Sequence, residues 1–207
     1  MNEYEAKKFL SSYGISIPRG YVISSEGEID KLSLNYPIVA KVLSEEILHK
    51  SDVGGVILNI TSKREAKEAF KKIHGKFHTP VLFEEMVRGE VEVIVGVIKD
   101  HTFGHALMFG LGGIFTEIYR DVTFRVIPIA KKDAEAMIED IRGKKILEGY
   151  RGIKVNRESV VDLLLKISKI VEDNPNIIGM DLNPVILTHD DAIVLDAKII
   201  LEKSGES

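Results

Sequence analysis

The chain has 207 residues, of which 44% are hydrophobic and 29% are charged, and its formal net charge is −4. This composition is typical of a globular protein with a real core, and the slightly acidic balance argues against a nucleic-acid partner. The sequence contains no cysteine, which excludes a disulfide framework, a thiol nucleophile and a cysteine-bound zinc. No apolar run approaches the ~18 residues of a transmembrane helix, and the charged start MNEYEAKKF is unlike a signal peptide. We therefore expect a cytoplasmic protein with no membrane partner.

Two helices and three strands are predicted in the first third of the chain. Each helix begins with capping-box spacing, Asn2 with Glu5 and Ser62 with Glu65. Short apolar runs bounded by turn residues predict the strands. The predicted helices cover 2–13 and 62–77, and the predicted strands cover 21–23, 37–43 and 55–60.

The rest of the chain begins with four short β-rich runs between 81 and 129, which we interpret as an antiparallel meander. Two helices follow, over 131–140 and 157–172, the second with Asn156 as its N-cap. A hairpin around 188–191 closes the sequence. Because strands and helices do not alternate regularly, we predict an α+β fold. Its two α/β lobes have largely antiparallel sheets and cover residues 1–79 and 80–207.

Lys41 interrupts the apolar strand predicted for 37–43. Alternation along that strand places it on the face opposite Ile38, Ala40 and Val42. A buried ammonium is costly unless it is paired, so we expect an anion beside it. The alternative, which strand position alone leaves equally open, is a lysine that reaches water at the strand end.

A polar run and a glycine pair come directly after this strand. Gly54 and Gly55 would let backbone amides approach a ligand closely, and His49, Lys50 and Ser51 supply side-chain donors. A phosphate chain over this turn would satisfy the strand lysine, although the GxxxxGK[ST] pattern of a P-loop is absent. The alternative is a tight β-turn with a polar tip.

Acidic residues gather near the predicted lobe boundary. If the segment 81–87 is the hinge between the lobes, its backbone groups could hydrogen-bond an adenine edge. The Glu92 carboxylate could then accept hydrogen bonds from ribose hydroxyls. For the side chains of Glu85 and Glu90, two solvated strand-end acids are the simpler interpretation. The segment 81–87 ends with Glu84, Glu85, Met86 and Val87.

The C-terminal hairpin carries two aspartates and an asparagine. Asp181 and Asn183 are two residues apart and share one strand face, and Asp196 pairs almost opposite Asn183. Oxygen ligands on one sheet face suit Mg²⁺, with water and phosphate completing its octahedron. The alternative is the polar side of an edge hairpin.

The order and spacing of these segments resemble an ATP-grasp domain, and more narrowly the β subunit of ADP-forming acetyl-CoA synthetases (acetate–CoA ligases), in the succinyl-CoA synthetase superfamily. The resemblance covers nearly the whole chain and is carried by PIVAKVLSEEILHKSDVGGVIL, FEEMVRG, GLGGIFTE, GMDLNPV and VLDAKI. It implies an acid–thiol ligase that binds ATP or ADP with Mg²⁺ between its lobes. Its implied partner is a CoA-binding α subunit that carries a phosphohistidine, in an α₂β₂ assembly.

The resemblance also implies roles by position. Lys41 would contact the α- and β-phosphates, residues 49–55 would cover the phosphates, and residues 84–87 would recognise adenine. Glu92 would bind the ribose. Asn183 and Asp196 would hold Mg²⁺, with Asp181 in support.

His49 resembles a histidine that is transiently phosphorylated and relays the phosphoryl group between the nucleotide and the partner's phosphohistidine. Asp52 could orient its ring, and Lys50 could offset the phosphoryl charge. The alternative is that His49 only donates a hydrogen bond to a phosphate. The partner would dock at a glycine-rich loop over 109–117, whose candidate residues are Gly110, Gly112, Gly113 and Glu117.

The expected reaction is acyl-CoA + ADP + phosphate ⇌ carboxylate + ATP + CoA, shared with the partner subunit. Two other functions fit an ATP-grasp domain. One is a non-catalytic nucleotide-sensing module that regulates a partner enzyme. The other is a carboxylate–amine ligase, which would form an acyl phosphate and no phosphohistidine.

Overall fold

The computed structural model describes residues 1–44, 47, 50–89, 91–113 and 121–202. Contacts divide the chain into two compact units: unit 1 contains residues 1, 6–17 and 88–207, and unit 2 contains residues 2–5 and 18–87. Each unit has a hydrophobic core cluster of its own. The lobe boundary after residue 79 stays a prediction.

The described residues form four α-helices, three 3₁₀ helices and ten strands. The helices are α1 (Glu3–Ser12), α2 (Lys63–Phe77), α3 (Lys131–Asp140) and α4 (Arg157–Asp173), and the 3₁₀ helices are Glu26–Lys31, Arg142–Ile146 and Tyr150–Gly152. The strands are β1 (Gly20–Ile23), β2 (Ile38–Val42), β3 (Val56–Ile60), β4 (Val81–Glu85), β5 (Val91–Asp100), β6 (Gly104–Leu111), β7 (Val122–Val126), β8 (Ile177–Leu187), β9 (Ala192–Val194) and β10 (Ala197–Leu201).

The predicted capping box at the start of α1 is confirmed. The Asn2 N–H donates to Glu5 Oε2 over 3.1 Å, and the Glu5 N–H donates to Asn2 Oδ1 over 3.0 Å. At the start of α2, Ser62 accepts from the Glu65 N–H as predicted, but the Glu65 carboxylate accepts from the Thr61 N–H. Ser62 therefore caps the helix as predicted. The predicted return bond is wrong, because the Glu65 carboxylate accepts from the backbone N–H of Thr61 and not from that of Ser62.

The sheet of unit 2 has the strand order β1-β4-β2-β3, with antiparallel pairing throughout. Its buried face packs on α2: Ile38, Ala40 and Val42 share a core cluster with Phe70 and Ile73. The alternation predicted for β2 is thus confirmed. The prediction that 81–87 begins a four-stranded meander is wrong, because β4 pairs with β1 and β2.

The sheet of unit 1 has the order β10-β8-β5-β6-β7, and β9 also pairs with β8. Strands β5, β6 and β7 form the meander predicted for this stretch. Helices α3 and α4 contribute Met137, Ile138, Leu164 and Ile167 to the core beneath the sheet. The predicted N-cap of α4 is confirmed, since Asn156 accepts from the Ser159 N–H.

The C-terminal hairpin forms as predicted, with one change. Strand β8 turns at 188–191 into β9, but the returning strand is interrupted at Leu195 and Asp196 before β10 resumes pairing with β8. The α+β class with antiparallel sheets is confirmed. Within the described residues, no helix has an apolar stretch long enough to cross a bilayer.

Candidate functional site

Lys41 is buried in the middle of β2, and only 9% of its surface is exposed. Its Nζ lies 2.8 Å from Glu3 Oε1 and 3.0 Å from Glu84 Oε2. The predicted anion beside Lys41 is therefore present as two carboxylates. The alternative of a lysine that reaches water is wrong, because both partners are themselves buried.

Glu3 connects this lysine to the turn that follows β2. It is the first residue of α1 and is only 4% exposed, and its second oxygen, Oε2, lies 2.6 Å from Lys50 Nζ. One carboxylate thus bridges two ammonium groups that the sequence places nine residues apart. Glu3 was not predicted from the sequence as part of the site, because an acid in the first turn of a helix is already explained by its favourable interaction with the helix dipole.

Glu84 lies on β4, an inner strand of the unit 2 sheet. It faces Gly20 of β1 on one side and Val39 of β2 on the other. A Cβ atom at Gly20 would lie 2.7 Å from Glu84 Cγ and 2.9 Å from the Phe83 carbonyl oxygen. Glycine at position 20 therefore makes room for the carboxylate that reaches Lys41. The need for glycine at position 20 was not predicted from the sequence, because a glycine at the start of a strand is compatible with many local structures.

The turn over 50–54 is closed by its own backbone. The Gly54 N–H donates to the Ser51 carbonyl over 3.0 Å, and the Gly55 N–H donates to the Lys50 carbonyl over 2.6 Å. Gly54 has a φ of +71°, and a Cβ at Gly55 would lie 2.6 Å from Val42 Cγ1. The two glycines are thus required by the conformation of the turn, and their N–H groups, predicted to bind a ligand, already donate to carbonyls within the turn.

The side chains of Lys50 and Ser51 are candidate phosphate donors on this turn, and Lys50 Nζ contacts Glu3. Ser51 and Asp52 are exposed. His49, the predicted phosphoryl relay, lies outside the described residues.

The predicted hinge has a backbone that is largely occupied. The Glu85 N–H donates to the Arg19 carbonyl over 2.9 Å, and the Met86 N–H donates to the Pro37 carbonyl over 3.0 Å. Among the residues that the structure describes, the Val87 N–H has no hydrogen-bond acceptor. Within the hinge, Val87 is therefore the residue whose N–H is left for an adenine edge.

The simpler interpretation predicted a solvated Glu85 side chain, but this side chain is hydrogen-bonded to Asn35. Glu90, which was given the same interpretation, lies outside the described residues. Glu85 Oε1 accepts from the backbone N–H of Asn35 over 2.9 Å and from Asn35 Nδ2 over 3.0 Å. The residue is only partly exposed. This pair fixes the end of β4 to the segment before β2.

Glu92 lies on the exposed face of β5, against the glycine pair that follows β6. The Gly112 N–H donates to the Glu92 carbonyl over 2.7 Å. A Cβ at Gly112 would lie 3.0 Å from Glu92 Cβ, and one at Gly113 would lie 3.5 Å from Glu92 Oε2. The structure thus brings together two features that the sequence assigned to separate roles, ribose binding and partner docking.

The glycine-rich loop predicted over 109–117 begins later than predicted, because β6 continues to Leu111. Phe109, Gly110 and Leu111 are buried in β6, where Gly110 pairs with Val122 of β7. A Cβ at Gly110 would lie 2.5 Å from the Asp121 carbonyl oxygen, so this glycine permits close strand pairing. Residues 114–120, including Glu117, lie outside the described residues.

Asp181, Asn183 and Asp196 come together on one face of the unit 1 sheet. The backbone N–H of Asn183 donates to the carbonyl of Asp196 over 3.3 Å, which places these two residues opposite each other as predicted. Asp181 is two residues from Asn183 on β8 and pairs with Lys198 of β10. Residues two apart and residues directly opposite project to the same face.

The electrostatics of this cluster suit a cation. Partial burial, and next the negative charge of Asp196, raise the pKa of Asp181 above its usual value, while Lys198 opposes the shift. Asp181 keeps an exposed surface, so solvent weakens this repulsion. Within the described ranges, no three His, Asp or Glu side chains form a metal cluster. Two carboxylates and one amide nevertheless fit Mg²⁺, which keeps several waters and commonly binds substrate phosphates.

The sequence matches the ATP-grasp domain family over residues 1–201. It is 45% identical to the β subunit of acetate–CoA ligase (ADP-forming) II of Pyrococcus furiosus, over 98% of this chain and 92% of that one. It is 42% identical to acetate–CoA ligase (ADP-forming) II of Archaeoglobus fulgidus, over 96% of this chain but only 30% of that longer one. These relatives favour the ligase over the sensing module and the carboxylate–amine ligase.

The fold matches solved structures of the dinucleotide-forming acetyl-coenzyme A synthetase 1 of Ca. Korarchaeum cryptofilum. The complex with coenzyme A, Ca-AMPCP and HgCl⁺ superimposes with a TM-score of 0.92 and 40% identity, over 98% of this chain and 93% of that one. A complex of the same protein with coenzyme A and Mg-AMPPCP, with its phosphohistidine segment pointing towards the nucleotide binding site, has a TM-score of 0.85 and 40% identity, over 97% and 92%.

Proposed function

Because the chain belongs to the ATP-grasp family and, within it, to the β subunits of ADP-forming acetate–CoA ligases, we propose that it performs the nucleotide half of acyl-CoA + ADP + phosphate ⇌ carboxylate + ATP + CoA. The near full-length match to a stand-alone β subunit is the observation that carries this proposal. The chain binds ADP or ATP and exchanges a phosphoryl group with a histidine of its partner.

The cationic groups of unit 2 bind the phosphates in this proposal. Lys41 is held in place within a sheet, and Lys50 sits on the adjoining turn. Both ammonium groups contact the same Glu3 carboxylate, so they lie within reach of a single anionic group. This proximity supports phosphate binding at the two lysines.

The hinge and β5 bind the nucleoside. The Val87 N–H donates to an adenine ring nitrogen, while Glu85 and Met86 hold the hinge in shape through the bonds described above. The Glu92 carboxylate is exposed on β5 and accepts hydrogen bonds from the ribose hydroxyls.

The metal belongs to the C-terminal hairpin in this proposal. Asn183 and Asp196 hold Mg²⁺, with Asp181 in support. Mg²⁺ bound there would offset charge on the phosphates during phosphoryl transfer. The two aspartates already repel each other, so a divalent cation between them relieves an unfavourable interaction.

His49 relays the phosphoryl group in this proposal. In the direction of ATP formation, the P–N bond on the partner's histidine breaks as a P–N bond forms at the neutral His49 ring. A β-phosphate oxygen of ADP then attacks the phosphorus, and the electron pair returns to the ring nitrogen. Asp52 orients the ring and stabilises its cationic form, and Lys50 offsets the charge of the transferred group.

The partner is a CoA-binding α subunit that carries the phosphohistidine, in an α₂β₂ assembly. This chain spans only 30% of the longer Archaeoglobus fulgidus relative. That difference in length supports a partner subunit that supplies the remaining part of the enzyme. Gly112, Gly113 and Glu117 are proposed to face the docking phosphohistidine. We propose that the reaction takes place in the cytoplasm.

The test is reconstitution with the α subunit from the same source. We expect ATP formation that requires acetyl-CoA, ADP and phosphate together, and acid-labile label on this chain after incubation with γ-labelled ATP. His49→Ala removes both, while His189→Ala, at an exposed turn position, serves as the control. Labelling that persists in His49→Ala contradicts the relay. A complex that binds ATP but forms none supports the sensing module.

A further inference from the structure

We propose that Glu3 is a placeholder for phosphate. Its carboxylate holds Lys41 and Lys50 while the nucleotide is absent, and the phosphates displace it when the nucleotide binds. Glu3 acts through the two lysines and is therefore a positioning residue. This inference rests on the proposed function for the identity of the incoming anion, and it adds a residue that sets nucleotide affinity.

A carboxylate beside the lysines opposes phosphate binding. Lys41 Nζ lies within ion-pair distance of Glu3 and of Glu84, and Lys50 Nζ lies within ion-pair distance of Glu3. Both carboxylates repel a polyphosphate that approaches these lysines at close range. Withdrawal of one carboxylate makes the site more positive by one charge.

Glu84 is not free to withdraw. Its residue is paired on both sides within the unit 2 sheet. Its side chain also packs tightly over Gly20, where a Cβ would lie only 2.7 Å from Glu84 Cγ. The Gly20 backbone limits the movement of this side chain, so we assign Glu84 as the permanent partner of Lys41.

Glu3 can withdraw at low cost to its helix. It is the first residue of α1, and the backbone N–H groups of a first turn have no partner within the helix. The capping box that stabilises this end is formed by its neighbours Asn2 and Glu5. A rotation of the Glu3 side chain therefore leaves the helix start capped.

Exchange at Glu3 also acts on the turn after β2. The 2.6 Å contact between Glu3 Oε2 and Lys50 Nζ ties that turn to the start of α1. When phosphates replace Glu3, Lys50 changes its partner from the helix to the ligand. The nucleotide must compete with the Glu3 carboxylate for the two lysines. The apparent affinity of the chain for the nucleotide is therefore lower, because only the fraction of molecules with Glu3 withdrawn can bind it.

Calorimetric titration of the full chain with ADP tests the sign of this effect. Glu3→Gln keeps the size of the side chain and removes its charge, and we expect ADP to bind about tenfold more tightly. The same variant should melt at a lower temperature, because Lys50 loses its ion pair. Glu5→Gln is the matched control: it removes one charge from the same helical turn, at an exposed residue whose capping role Gln can fill. Its ADP affinity should be that of the parent chain.

If Glu3 has a purely structural role, the Glu3→Gln variant loses both ADP affinity and thermal stability. That result overturns the inference. Unchanged affinity overturns it as well. If the parent chain binds ADP and folded Lys41→Met does not, the proposed function stands whatever Glu3→Gln does. If the parent chain binds neither ADP nor ATP, the proposed function fails and the inference fails with it.

Carbodiimide footprinting of the unmodified chain provides a second measurement that does not depend on folding of a variant. Glu3 is 4% exposed without nucleotide, so its carboxyl should resist labelling. Saturating ADP should raise the labelling of Glu3 several-fold, while labelling of the exposed Glu5 stays constant. Continued protection of Glu3 at saturation contradicts displacement.

Discussion

The backbone N–H of Asn183 donates to the carbonyl of Asp196 over 3.3 Å. This bond crosses the point where the returning strand of the hairpin is interrupted, so the two proposed metal ligands are held opposite each other although Asp196 lies outside a regular strand. Asp181, two residues before Asn183, adds a third oxygen donor to the same face. The proposed site therefore has one ligand pair in the regular strand β8 and one ligand, Asp196, outside a regular strand.

Asp196→Ala should selectively reduce the effect of Mg²⁺ on nucleotide binding. Loss of one anionic ligand should weaken the Mg²⁺-dependent part of ADP binding on the order of 10- to 100-fold. Binding measured without metal should change little, because the lysines remain. Titrations with and without Mg²⁺ check this, and Asp190→Ala in the exposed turn of the same hairpin is the control. Equal losses with and without metal would contradict a metal role.

The pH dependence of the metal-free chain should reflect Asp181. Because partial burial and Asp196 raise its pKa in the folded chain, the folded state binds more protons than the unfolded state between the two pKa values. Stability at this site is therefore highest below the unfolded pKa of about 3.9 and decreases as pH rises through the raised folded pKa.

Asp181→Asn removes this charge and should raise Tm at pH 7 by about 1 to 2 °C, since solvent screens the exposed group. The difference from the parent chain should vanish at low pH, where both are uncharged. Melting curves from pH 3 to 7 without metal measure this. A gain that is constant with pH would contradict the electrostatic origin.

Lys41→Met should destabilise the fold as well as abolish nucleotide binding. Removing the ammonium leaves Glu3 and Glu84 without their shared partner in a buried site, at a cost of about 3 to 5 kcal/mol. The double variant Lys41→Met with Glu84→Gln should recover part of this stability, because a buried charge is removed, but no nucleotide binding. Denaturant unfolding and ADP titration separate the two effects. Recovered binding in the double variant would argue against phosphate contact by Lys41.

Gly112→Ala should weaken nucleotide binding through Glu92. The added Cβ would lie 3.0 Å from Glu92 Cβ and 3.1 Å from its backbone carbonyl, so the backbone of β5 or of the glycine pair has to move. We expect a loss in ADP affinity of about tenfold, the effect of a misplaced hydrogen-bond acceptor to the ribose. Gly75→Ala in the exposed part of α2, where nothing lies within 4 Å of the new atom, is the control. Unchanged ADP affinity in Gly112→Ala would remove Glu92 from the ribose site.

The sequence by itself determined those features whose partners are close along the chain. The Asn2 and Glu5 capping box, the Asn156 N-cap and the pairing of Asn183 with Asp196 each depend on spacing or on one hairpin turn. Helical and strand periodicity also placed the buried face of β2 correctly. Local rules are sufficient there because the interacting groups share one element or one turn.

Tertiary structure alone decided the partners of Lys41, the sheet to which β4 belongs and the contact of Glu92 with Gly112. Glu3 precedes Lys41 by 38 residues in the sequence, and no local pattern shows that an acid at a helix start will be buried against a strand lysine. Strand β4 resembles the runs that follow it, yet it pairs with strands far earlier in the chain. Such contacts follow from how complete elements pack together, and periodicity within each element carries no information about that choice.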